Sequence, residues 1–289
     1  MVRYYEPIKL AYRVFEAAGG SSKALTPVIF MHDIYNCKEV WHSIPQLVAD
    51  RTKRMVFAYD ARNHGESEYT SESDFNLNVP DLYTFMSRMQ IESSILVGHC
   101  FGGMTAISAA LEEPKKVEKA FVLDMSVTIP RYVIESKISE FSVWPEKFDK
   151  LFKITKNPEK FMELLFDSMA PVLFGKLAEN PEFTKAKKDY LISHLCKKLP
   201  DGTYGLNFNY RTLQDALKIY HRNPVINCGM YHGPAYFMFG TYALFKAEAE
   251  EVEIKKHFPR AEVEEVRAAT SNFFTDNPKA FADYLIRNM

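Results

Sequence analysis

Ser94-Ile95-Leu96-Val97-Gly98-His99-Cys100-Phe101-Gly102-Gly103-Met104 is the stretch on which the fold reading turns. An apolar run of strand length stops at a glycine, a cysteine follows two residues later, and a glycine pair opens the small-residue helix pattern of 104–113, closed by Pro114. Strand, tight turn, then helix is the context of a nucleophile elbow, G-x-[nucleophile]-x-G-G. Glycines are needed there because a side chain held on a sharp turn requires neighbours without a Cβ if strand and helix are to approach closely. The helix N-terminus behind Cys100 carries unpaired N–H groups and partial positive charge, which predicts a thiol biased toward thiolate. A buried cysteine in a glycine turn is the plainer reading of the pentapeptide alone, and the flanking strand and helix patterns weigh against it.

The segments around this stretch alternate in period. Residues 8–15 read as an edge strand, Val28–Met31 and 54–59 as buried parallel strands, and Val117–Leu123 as another strand. Residues 41–51 and 78–89 carry helical spacing. From about Pro130 to Asn223 the pattern turns helical, with Lys and Phe frequent and breaks at Pro145, Pro158, Pro171 and Asp201-Gly202. Strands resume at 235–239 and Ala261–Val266, with helices at 248–257 and Pro278–Asn288. This order predicts an α/β fold with a mostly parallel central sheet flanked by helices. The expected division is a core from 1–129 and 224–289, interrupted by a helical cap insertion at 130–223.

Composition narrows the classes of function. The 289 residues carry 36 Lys+Arg against 37 Asp+Glu, a balance that offers no field for nucleic acid or an anionic membrane. No apolar stretch reaches the roughly 20 residues that span a bilayer. Cys37, Cys100, Cys196 and Cys228 are widely spaced, with no C-x-x-C pair, so reduced thiols and a cytoplasmic location are expected, or a mitochondrial one after loss of a transit peptide. Neither a cofactor nor a metal is implied, and the sequence leaves the oligomeric state open. Phe141, Trp144, Phe148, Phe152, Phe161, Met162, Phe166 and Met169 make the insertion aromatic, which suits an apolar ligand or the packing of a lid on the core.

Between strand and elbow lies Asp60-Ala61-Arg62-Asn63-His64-Gly65-Glu66-Ser67. With this D-x-R-N-H-G-x-S string, Trp41, the segment Asn207-Phe208-Asn209-Tyr210-Arg211-Thr212-Leu213 and the tail from His257-Phe258-Pro259 to Asp276-Asn277-Pro278, the chain resembles the α/β-hydrolase superfamily nearly end to end. It is most similar there to the alpha/beta-hydrolase domain-containing protein eleven subgroup and the related short-chain esterases. The resemblance implies ester or thioester hydrolysis by a nucleophile–histidine–acid triad beneath a helical cap.

Against that pattern the chain departs at three places. Cys100 stands where the family has serine, a change that dienelactone-type hydrolases of the same superfamily tolerate. The triad histidine, counted back from Asp276-Asn277-Pro278, falls on Ser271, and no histidine follows His257. A serine hydroxyl cannot accept a proton near neutral pH as imidazole does. The oxyanion loop reads His32-Asp33-Ile34 where His-Gly is expected, with Asn36 in place of a later glycine. A carboxylate there opposes the charge of a tetrahedral intermediate, for which one preorganised donor is worth about 3 kcal/mol. Asp124 matches the acid position, or else caps a strand end. His99 reads as a packing or hydrogen-bonding residue beneath the elbow, and His32 and His64 as local hydrogen-bonders. His194, His221, His232 and His257 have no motif context.

The candidate site is therefore Cys100, Asp124 and Ser271, with His32, Asp33, Ile34, His99 and Phe101 at the oxyanion loop and pocket. Three functions remain. One is weak or atypical hydrolysis of a small apolar acyl-type ligand through Cys100. The second is an inactive relative that binds a ligand or partner. The third is non-hydrolytic lyase or cyclase chemistry with Asp33 or Asp124 as acid–base.

Overall fold

Alternate side chains of the apolar runs enter two separate cores, which is why each run is a buried strand. In a computed structural model, Ile29 and Met31 join one core while Val28 and Phe30 join the other. The structure describes residues 6–72, 74–139, six isolated positions between 142 and 167, 196–198, 204–224, 227–243 and 245–289. The cap aromatics Phe141, Trp144, Phe148, Phe152, Phe161, Met162, Phe166 and Met169, and His194, lie outside the described residues.

The strands are β1 (Tyr12–Phe15), β2 (Val28–Met31), β3 (Val56–Tyr59), β4 (Ser94–His99), β5 (Val117–Leu123), β6 (Cys196–Lys198), β7 (Tyr204–Leu206), β8 (Ala235–Gly240) and β9 (Ala261–Val266). Seven form one sheet in the order β1-β3-β2-β4-β5-β8-β9. Only the β1–β3 pair is antiparallel; the others run parallel, with Val28 opposite both Val56 and Ile95. The expected edge strand at 8–15 is thus an edge strand, shortened to its last four residues.

Among the described residues the α-helices are α1 (Ile44–Thr52), α2 (Asn78–Arg88), α3 (Phe101–Glu112), α4 (Tyr210–Arg222), α5 (Ala247–His257), α6 (Phe273–Asp276) and α7 (Pro278–Asn288), and residues 131–139 are also helical. One face of the sheet is covered by α1, α7 and Trp41, whose ring is fully buried between Phe30 and Phe274. The other takes α2, α3, α4 and Ile254 of α5. Helix α7 starts at Pro278, its N-cap Asn277 accepting from Ala280 N–H at 3.1 Å.

Within 130–223 the sequence predicts helix alone, and the structure differs: β6 and β7 pair as an antiparallel hairpin. Their three-residue strands are too short for periodicity to register. The two segments that carry the family resemblance meet in space. Gly65 N–H donates to Asn207 O at 2.6 Å and Asn209 N–H to Asn63 O at 2.9 Å. The D-x-R-N-H-G-x-S string is a brace for this junction. Asp60 accepts from Lys38 N–H and Lys38 Nζ, both at 2.7 Å, and Arg62 grips Asp81 through two hydrogen bonds of 2.8 and 2.9 Å.

Candidate active site

At the end of β4 the chain reverses through Cys100, whose backbone sits at φ 49°, ψ −113°, a strained conformation for a residue with a side chain. Cys100 N–H donates to Leu123 O at 2.7 Å, which pins the turn to β5. Helix α3 begins one residue later. A Cβ on Gly98 would lie 2.3 Å from Gly102 O, and one on Gly102 would lie 2.2 Å from Met31 O. The glycines are therefore what lets strand, turn and helix close on each other.

Parallel strands end side by side, so the loops after β2, β4, β5 and β9 deliver Asp33, Cys100, Asp124 and Ser271 to one place. These four, with Ile34, His99 and Phe101, line a cavity of about 100 Å³. Of the residues singled out from sequence, only His32 stands apart. Its ring turns away from the cavity, with Nε2 accepting from Ala61 N–H at 2.9 Å and Nδ1 set 2.7 Å from Asp33 O. That fixes the proton on Nδ1, and burial lowers the ring's pKa to about 4.

Phe101 N–H, the amide just after the elbow, points to Asp33, whose Oδ1 accepts from it at 3.4 Å. The carboxylate thus occupies the direction an oxyanion would take. Asp124 sits beyond β5 at φ 50°, its N–H donating to Met238 O at 2.8 Å. Its side chain is buried, and Oδ1 has no hydrogen-bond partner. Burial raises the Asp124 pKa to about 6; nearby Asp33 adds to the rise, while the Ser271 side chain, Lys137 and Lys246 oppose it.

For Cys100 the thiolate expectation is overturned. Removal from bulk water raises the thiol well above its ordinary pKa, and Asp33 and Asp124 raise it further; Lys137 offsets only part. Two fixed negative charges and desolvation outweigh the partial charge of a helix end. His99 is the packing residue expected beneath the elbow, set edge-on against Phe274 at 4.9 Å between ring centres. Burial lowers its pKa, against the pull of Asp33 and the Ser271 backbone.

The remaining described histidines lie elsewhere. His64 rests between Arg62 O at 2.7 Å and Ile34 O at 2.8 Å, both favouring a charged ring, yet burial prevails and its pKa is lowered. His221 stands 3.8 Å from Glu135, His257 lies 3.0 Å from Gly229 O, and His232 is exposed. The cavity wall also includes Met125, Ile129, Val133, Ile134, Lys137 and Phe245, which sequence reading missed. Val133, Ile134 and Lys137 recur at one-and-four spacing, a signal that they share a helix face. Among the described residues, the one cluster with metal-ligand spacing is Cys37, Glu39 and Asp60, already entered by Lys38 Nζ at 2.7 Å from Asp60.

A parallel sheet whose strand ends converge on a strained elbow defines a hydrolase-type scaffold. The chain belongs to the alpha/beta hydrolase fold family, whose model matches residues 26–170. Among curated relatives it is 26% identical over 285 residues to the sn-1-specific diacylglycerol lipase ABHD11 of Danio rerio, covering 99% of this chain and 84% of the relative. It is 25% identical to the Abhydrolase domain-containing protein C22H12.03 of Schizosaccharomyces pombe, covering 97% of each. A solved marine microorganism esterase superposes with a TM-score of 0.75 at 20% identity, covering 98% of this chain and all of that one, a likeness of fold. No described helix is long and apolar enough to cross a membrane.

Proposed function

We propose that this chain is a hydrolase-fold protein of esterase descent that holds a small apolar ligand in the cavity at Cys100, with acyl hydrolysis weak or lost. The observation that carries this reading is the Phe101 N–H directed at Asp33 Oδ1: the donor that should stabilise an oxyanion faces a carboxylate instead. Cys100 would be the nucleophile, Asp124 the remnant acid and Ser271 the substitute for histidine, a set that lacks a base. A thiol with a raised pKa is a poor nucleophile at neutral pH, and a serine cannot activate water to release an acyl group. The name of the ABHD11 relatives, sn-1-specific diacylglycerol lipases, supports an acyl-lipid ancestry and an apolar cavity. Residues 130–223 act as the cap; Val133 and Ile134 from the helical stretch at 131–139 already face the cavity. The wide spacing of Cys37, Cys100, Cys196 and Cys228 suits a reducing compartment, the cytoplasm or a mitochondrion.

The test is the time course of 4-nitrophenyl acetate hydrolysis. The expected result is at most about one equivalent of product per Cys100, followed by a steady rate near background. Sustained turnover at serine-esterase rates, abolished by Cys100→Ala, would mean that a base is present. A second reading has its own support. Asp124, buried on the cavity wall with a pKa near 6, is poised for proton transfer in a lyase or cyclase.

A further inference from the structure

Two carboxylates, Asp33 and Asp124, converge on the cavity wall, one more than an ester hydrolase needs. Asp33 is held by the Phe101 amide, so a negative charge is fixed where the fold ordinarily receives one. Asp124 is 4% exposed and its Oδ1 accepts no hydrogen bond. A buried carboxylate oxygen without a donor is costly, and the cost is relieved by a ligand N–H. His99 is 2% exposed and lines the same cavity, its ring beside the Ser271 backbone.

The occupant has to be larger than a metal ion. The carboxylate, thiol and imidazole atoms around Cys100 do not gather within 4.8 Å of one another as metal ligands would. Neither Asp33 nor Asp124 forms an ion pair within 4 Å with a described basic side chain. Lys137, on the same wall, lies over the Tyr35 ring at 5.6 Å, and Lys246 Nζ donates to Thr241 O and Ala243 O at the surface. Met125, Ile129, Val133, Ile134 and Phe245 give the wall an apolar stretch, and Tyr35, Ser271 and Asn272 complete it. We propose that this cavity takes a small amphiphile with a protonated amine head, the ammonium seated between Asp33 and Asp124 and the alkyl part against Ile129, Val133, Ile134 and Phe245. This rests on the reading of the cavity as a ligand site and names the chemical class of the ligand. A carboxylate head is opposed by the two like charges, and an alcohol offers Asp124 Oδ1 a neutral donor where an ammonium offers a charged one.

The experiment compares octylamine, 1-octanol and octanoate, equal in chain length, by calorimetry on the whole protein near pH 7.5. Octylamine should bind about tenfold more tightly than octanol, the advantage expected of a charge-assisted hydrogen bond, and octanoate should not bind. Asp124→Asn should erase the preference for amine over alcohol, read as the ratio of the two affinities in the same variant. Asp33→Asn, checked for folding by circular dichroism alongside it, should weaken the preference in the same direction. Equal affinity for octylamine and octanol, or a preference that survives both substitutions, overturns the ammonium assignment and leaves the ligand-site reading standing. If none of the three binds at about millimolar concentration, both fail.

Discussion

Asp124 shows most directly how a single residue's surroundings set its behaviour. Its folded-state pKa of about 6 lies above the ordinary 3.8, so it contributes stability in full below pH 3.8, and that contribution is lost as pH rises through 6. The loss amounts to about 3 kcal/mol, most of it between pH 4 and 7. Asp124→Asn has no proton to lose. The variant should therefore gain on the parent as pH rises, with a Tm advantage roughly 5–10 °C larger at pH 8 than at pH 4. A Tm difference that is the same at both pH values would mean the carboxyl is not held in a desolvated site. At this scale the sequence was informative about identity and silent about environment. It showed Asp33, Asp124 and Ser271 at the right chain positions. It could not show that the first two act together on the Cys100 sulfur, because that depends on distances between segments far apart along the chain.

Among the elements, α3 is the tightest fitted. Alanine is ordinarily favoured over glycine inside a helix by about 1 kcal/mol. At Gly102 the order reverses, because the added Cβ would meet Met31 O at 2.2 Å and His32 O at 2.8 Å, backbone atoms that cannot swing aside. Gly102→Ala should lower the denaturation midpoint by an amount equal to about 3 kcal/mol or more; an unchanged or raised midpoint would show that α3 can shift outward. Element boundaries were largely legible. Val117–Leu123, Ala261–Val266 and Pro278–Asn288 agree to the residue, since uninterrupted strand runs and a proline helix start leave little freedom. The β6–β7 hairpin was not legible, because strands of three residues carry no period.

On the scale of the whole molecule, the site is a property of the sheet. Asp33 follows β2, Cys100 follows β4, Asp124 follows β5 and Ser271 follows β9, and parallel pairing gathers all four at one end. Repairing one defect leaves the other, so the double variant Asp33→Gly with Ser271→His should exceed the sum of the single changes. Its kcat/KM on 4-nitrophenyl acetate should rise about a hundredfold over the parent, and each single variant about tenfold or less. Equal activity in the double and better single variant would show that the missing base or the blocked amide alone limits the chemistry.

What the sequence by itself determined was the sheet, its elbow and the absence of a histidine after His257, because periodicity, glycine placement and residue identity are local properties that a linear string records. Tertiary structure decided the rest. It turned Asp33 onto the Phe101 amide, set Lys137 and Phe245 in the cavity wall, and reversed the expected bias of the Cys100 thiol. Electrostatic fields and desolvation depend on separations through space, and those exist only once the strand ends have been brought together.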